Sequence, residues 1–146
     1  MVFHLKHSNS LIFIDRNTWR NYLLKLESAP KAVLLSAWQQ DEAKLKLLEP
    51  LIRKLIELGC CYFVCVGKYS ECLHDFVDDI ILDMSFGVKK ENISKVVTTW
   101  HDTETDDEVA DFFLNSTNIS HGLLVAFLGE KRSEDLNLKR TILKRV

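Results

Sequence analysis

Two prolines and five glycines in 146 residues are too few for a collagen-like, linker-like or proline-rich recognition segment. Long apolar runs are also missing, and none approaches the ~18 residues that would carry a helix across a bilayer. The stretch "MVFHLKHSNS" at the start has neither the apolar core nor the small-residue cleavage site of a secretory signal. A cytoplasmic protein with no membrane contact is therefore expected. Base is not in excess: the net charge is −2, which disfavours nucleic acid as a partner.

Cysteine is confined to Cys60, Cys61, Cys65 and Cys72. Without an export signal a disulfide scaffold is not expected. Zinc fails on reach. Cys61 and Cys65 would share one strand face, yet four residues at ~3.3 Å each hold them about 13 Å apart. Two thiolates bonded to one zinc at ~2.3 Å cannot span that distance. Reduced thiols packed as small hydrophobes are expected instead, with no metal and no cofactor. The phosphate-binding patterns G-x-x-x-x-G-K-[ST] and G-x-G-x-x-G do not occur, nor does the nucleophile elbow G-x-S-x-G. "VGKYS" at 66–70 sets one glycine and one lysine between a strand and a helix. A helix start can draw an anion there, although a tight turn accounts for Gly67.

What is present is alternation. "LIFI" (11–14), "KAVLLSAW" (31–38), "CCYFVCVG" (60–67), "ISKVVTTW" (93–100) and "GLLVAFLG" (122–129) read as strands. Between them lie helical patterns. Trp19, Leu23 and Leu26 recur within 15–28. Leu45, Leu48, Ile52, Leu55 and Ile56 form a stripe that stops at Gly59. Pro50 predicts either a kink near 47–49 or a second helix opening at the proline. "YSECLHDFVDDIIL" follows the third strand, Val109, Phe112 and Phe113 mark the fourth helix, and Leu136, Ile142 and Leu143 mark the last. Residues 84–94 form the one long connection, where mobility is expected. "VFHLK" at 2–6 could add a strand paired with 11–14. Five β–α units in series predict one α/β domain over 1–146: a three-layer αβα sandwich on a mostly parallel, five-stranded sheet.

This order of elements resembles the response-regulator receiver domain, a flavodoxin-like fold. Asp15 follows the first strand, Thr98 or Thr99 ends the fourth, and Lys131 lies beyond the fifth. The resemblance implies the architecture and stops there. The end of the third strand, where receiver domains carry a phosphoacceptor aspartate, reads "CVG", and only "DR" follows the first strand.

Ligands of open α/β sheets sit beyond the carboxyl ends of the strands. That rule selects Lys68 and Arg132 as anion contacts, with Thr99, Trp100 and His101 at the end of the fourth strand. A thiol route through Cys65, His101 and Asp102 or Asp75 is disfavoured, since Cys65 sits inside an apolar run. His74 and Asp78, four apart on a helix, fit a surface pair. In "VVTTWHDTETDDE" (96–108) five acids and no base lie between Asp102 and Glu108. "TDDE" fits a capping box from Thr105 to Glu108. The acids Asp102, Glu104, Asp106, Asp107 and Glu108 also form a surface suited to a basic protein partner. Two functions are therefore expected. The first is a small non-enzymatic module acting by protein–protein recognition, for example a toxin-neutralising immunity or defence-associated protein. The alternative is a nucleotide- or phosphate-binding enzyme or sensor using the strand-end crevice.

Overall fold

The computed structural model describes residues 2–23, 26–44, 46–86 and 93–146. The amino-terminal hairpin forms: β1 (Val2–His4) pairs antiparallel with β2 (Ser10–Ile14), Val2 opposite Ile12. The chain continues through α1 (Arg20–Leu23), β3 (Lys31–Ser36), α2 (Leu48–Glu57), β4 (Cys60–Val66) and α3 (Ser70–Ser85). It ends with β5 (Val97–His101), α4 (Asp106–Asn115), β6 (Leu123–Phe127) and α5 (Ser133–Lys144). One sheet takes all six strands in the order β1-β2-β6-β3-β4-β5, parallel except for the first pair.

Side chains alternate across the strands and so build two cores. Val33, Leu35, Phe63, Cys65, Val125 and Phe127 face α2 and α3, with Trp19 and Leu26 from either side of α1. Ala32, Leu34, Val64, Val66, Leu124 and Ala126 face Val109, Ala110 and Phe113 of α4 and Leu138 and Ile142 of α5. Handedness explains the division. From β2 through β3 and β4 to β5 the chain steps one way across the sheet, with its connections on one face. The return from β5 to β6 steps the other way, so a right-handed crossover places α4 on the opposite face. The expected three layers are present.

Several details depart from expectation. The strand order is not the 2-1-3-4-5 of flavodoxin-type sheets, because β6 enters between β2 and β3. A helix over 15–28 does not form. Asp15 accepts from the Asn17 N–H at 3.1 Å and, through its carbonyl, from the Thr18 N–H at 3.1 Å, a local turn that competes with helix. Helix therefore starts only at Arg20. Pro50 takes its second alternative: it lies in the first turn of α2, where a helix has no internal acceptor for an N–H anyway. Residues 93–95 form a short 3-10 turn, so β5 begins at Val97. The inward face of α5 is set by Asp135, Leu138 and Ile142 rather than by Leu136 and Leu143. Cys61 and Cys65 do not share a face. The β3–β4 register shifts between Lys31 and Ala32, and this bulge turns Cys61 towards the α4 side while Cys65 faces α3. All four thiols are free. Leu45, the Leu23 side chain and most of the 84–94 connection lie outside the described residues.

Candidate functional site

The sheet has a switch point at β6. Its two neighbours, β2 and β3, send their connections over one face, while β6 continues into α5 on the other. Such a divergence opens a crevice at the carboxyl ends of the strands. Here the protein's own side chains fill it. Arg16, just after β2, donates to the Ser36 carbonyl at 3.0 Å and meets Glu42 at 2.9 Å. Arg132, after β6, meets Glu42 at 3.2 Å, and Glu42 also accepts from the Gln39 N–H at 2.8 Å. Asp135, fully buried, accepts from Trp38 Nε1 at 2.6 Å and from the Gly129 N–H at 2.8 Å. The space left beside Arg16 and Ser36 is about 10 Å³, at the limit for a single water. Of these residues the strand-end rule selects Arg132, but not Glu42 or Asp135. For Asp135 a signal existed, since it stands three and seven residues before Leu138 and Ile142, on the buried stripe of α5.

The other candidates lie on β5, the outer strand. Thr99 and His101 face α4. Glu104 Oε2 is 2.6 Å from His101 Nδ1 and Thr99 Oγ1 is 3.0 Å from Nε2, while the ring lies 4.5 Å from Phe112 between centroids. Hydroxyl, imidazole and carboxylate in that order match a nucleophilic triad. The His101 side chain, however, is only 5% exposed and both its ring nitrogens are engaged. The group anchors the turn from β5 into α4. Thr98 and Trp100 point to the opposite face, Thr98 donating to Asp78 and Trp100 packing edge-on against His74 at 4.7 Å. His74 in turn contacts Asp75 at 3.1 Å and Asp78 at 3.4 Å. Thus Thr99 and His101 come together, and Trp100 turns away from them.

Lys68 follows Gly67 in the turn after β4 and lies 5.5 Å over the Tyr69 ring. The turn does require its glycine: φ is +104° and a Cβ would sit 2.5 Å from the Ala37 carbonyl oxygen. Arg132 is held elsewhere, by Glu42 and Glu134. From β6 to β5 there are three strand spacings of ~4.8 Å, about 14 Å, so Arg132 and His101 do not meet over one small anion. Among the described residues no group of three or more His, Cys, Asp or Glu is placed to hold a metal ion.

The acidic run is partly used within the chain. Thr105 caps α4, its Oγ1 accepting from the Glu108 N–H at 3.2 Å while Glu108 accepts from the Thr105 N–H at 3.2 Å. Glu104 is taken by His101, and Asp107 meets Arg145 at 3.3 Å. Asp102 and Asp106 have no such partner among the described residues. Burial, and then the neighbouring Asp107, push the Asp106 carboxyl above its ordinary value.

The profile of one domain family, described as a domain of unknown function (DUF7684), matches residues 15–143. The chain belongs to the DUF7684 family. The matched stretch of this DUF7684 chain holds the parallel strands β3 to β6, most of α5, the switch-point network and all of β5. Only the amino-terminal hairpin and the last three residues fall outside it. No curated protein matches the chain significantly.

Proposed function

We propose that this protein acts by binding another protein along the edge made by β5 and α3. The observation that carries the reading is that β5 ends the sheet with Trp100 43% and Val97 45% exposed. An outer strand offers unpaired backbone N–H and C=O groups to an incoming segment, and strand addition is a recurrent mode of peptide recognition. Tryptophan is also enriched among residues that dominate binding energy. α3 runs back along β5, with His74 against Trp100 and Asp78 against Thr98. Its outer stripe presents Asp75, Asp79 and Leu82, and Phe86 follows its last turn, all exposed. Asp102 extends the acidic flank past the end of the strand. The partner fitting this surface is an extended segment with basic and apolar side chains. Neutralising such a partner, as an antidote does a toxin, is one form of the proposal.

The switch-point crevice, by contrast, is occupied by Arg16, Glu42, Arg132 and Asp135, which leaves a ligand there little room. The test is comparative affinity purification from native cell extract, followed by titration of the purified partner. Trp100→Ala, with an unchanged circular dichroism spectrum, is expected to weaken binding at least tenfold. Asp75→Lys/Asp102→Lys is expected to remove the dependence of affinity on salt. Equal affinity for all three proteins would refute the role of this edge.

A further inference from the structure

At the opposite end of the sheet, beyond the amino-terminal ends of the parallel strands, lies a cavity of ≈ 830 Å³. That volume is within the range of small-molecule sites, roughly 300–1,000 Å³. One wall is the β1–β2 turn, and the other is the loop from α4 to β6 together with the end of α5. We propose that this cavity binds a small phosphate monoester of about mononucleotide size.

The chemistry of the lining carries the assignment. In a chain with 21 acids, none of the residues lining the cavity is Asp or Glu. Its polar lining includes His4, Lys6 and His7 on one wall and Asn118 and Arg145 on the other. Lysine and arginine are the ordinary phosphate contacts, as point charge and as planar fork. Donors on two walls suit a tetrahedral group with several acceptor oxygens better than a single flat carboxylate. Arg145 is engaged only loosely, at 3.3 Å from Asp107 and 3.5 Å from Asp111, whereas a tight charged pair closes to ~2.8 Å. Its guanidinium can therefore turn to a ligand. Leu5, Leu114 and Ile119 add apolar surface for the organic part of the ester.

The site is also built, rather than a gap between loops. Asn9, buried, crosses from wall to wall: its Nδ2 donates to the Ile119 carbonyl at 2.6 Å and its Oδ1 accepts from the Gly122 N–H at 3.1 Å. The His121 N–H donates to the His7 carbonyl at 3.0 Å. His7, Ser8, Asn118 and His121, none of them glycine, all hold φ between 54° and 58°. Left-handed backbone at such residues is uncommon and gathers at ligand clamps. All four belong to the two facing loops. The turn with Lys6 and His7 precedes the stretch matched by the family profile, whereas the facing loop at 114–120 lies within it.

The experiment uses the whole chain in calorimetric and NMR titrations with inorganic phosphate, AMP, glucose 6-phosphate and adenosine. Binding of at least one of the two esters is expected, with amide shifts concentrated at 4–9 and 115–121 and no binding of adenosine. Lys6→Glu and Arg145→Glu should each weaken the ester at least tenfold without changing the amide spectrum of the sheet. Silence towards both esters overturns the proposal. So do shifts centred on other elements, adenosine binding as tightly as AMP, or full affinity in both charge-reversal variants.

Discussion

Lys31 stands first in a run of apolar residues and reads as the ordinary polar start of a strand, yet it is fully buried. Its ammonium donates to three carbonyls, those of Glu27, of Ala29 at 2.8 Å and of Leu58 at 2.6 Å. Three protons meet three acceptors, which is how a buried charge is tolerated. The bonds join the segment entering β3 to the end of α2. Gly59, at φ +98°, fits closely against the same Ala29 carbonyl, which a Cβ would approach to 2.7 Å. Lys31→Met leaves these carbonyls without their cation and should cost about 2–4 kcal/mol, read from urea melts at neutral pH. The pH dependence has a definite sign. Burial lowers the pKa of Lys31 in the folded chain below 10.5. Between that depressed value and 10.5 the unfolded chain binds more proton than the folded one, so the Lys31 term gains stability as pH rises. The gap between wild type and Lys31→Met should therefore widen as pH rises towards 10.5. A gap that narrows on approach to that pH would contradict the assignment.

Elements were legible where local chemistry decides them. The capping box of α4 is complete in four adjacent letters, Thr105 to Glu108, and both of its hydrogen bonds form. Thr105→Ala should lower stability by about 1 kcal/mol, and Thr105→Ser should restore most of it; equal melts for all three would show that α4 is held by packing alone. Gly59 as the stop of α2 and Gly67 as a tight turn were equally readable, since left-handed backbone favours glycine. The amino-terminal hairpin and the five parallel strands also followed from pattern. The helix expected after β2 shrank because the Asp15 side chain competes for the N–H of Asn17, which an average over helical spacing does not register. The Cys61 bulge was hidden for a related reason. Alternation is a rule for regular strands, and one extra residue reverses the facing of every position beyond it. At the candidate site, Thr99, Trp100 and His101 were placed correctly at the end of a strand. Their division between two faces follows from the two-residue period, but which face meets α3 and which meets α4 depends on the direction of the crossovers.

At the scale of the molecule the strand order decides what the carboxyl end of the sheet can do. A wholly apolar strand such as β6, with Leu124 to Phe127 buried on both faces, belongs inside a sheet, whereas "VTTWH" suits an edge. Placing β6 between β2 and β3 brings together three loops distant in sequence, and Glu42 is where they meet. Arg16 reaches it from the first loop and Arg132 from the last, with Glu42 itself in the segment after β3. The Arg16 and Glu42 side chains are only 12% and 11% exposed, so solvent and salt screen this contact less than a surface pair. Glu42→Gln keeps the shape and one acceptor but takes the counter-charge from Arg16 and leaves Arg132 with the more distant Glu134, 3.7 Å away. Removing one partner of a mostly buried pair is costly; allowing for the partial exposure of Arg132, the loss should be about 2–3 kcal/mol in urea melts, nearly the same at low and high salt. If the network is only a surface ornament, the loss will fall below about 0.5 kcal/mol or vanish in salt. If instead the crevice is closed by these charges, Glu42→Gln should also loosen all three loops, with faster hydrogen exchange at Arg16, Ala37 and Gly129 and no change in the β1–β2 hairpin.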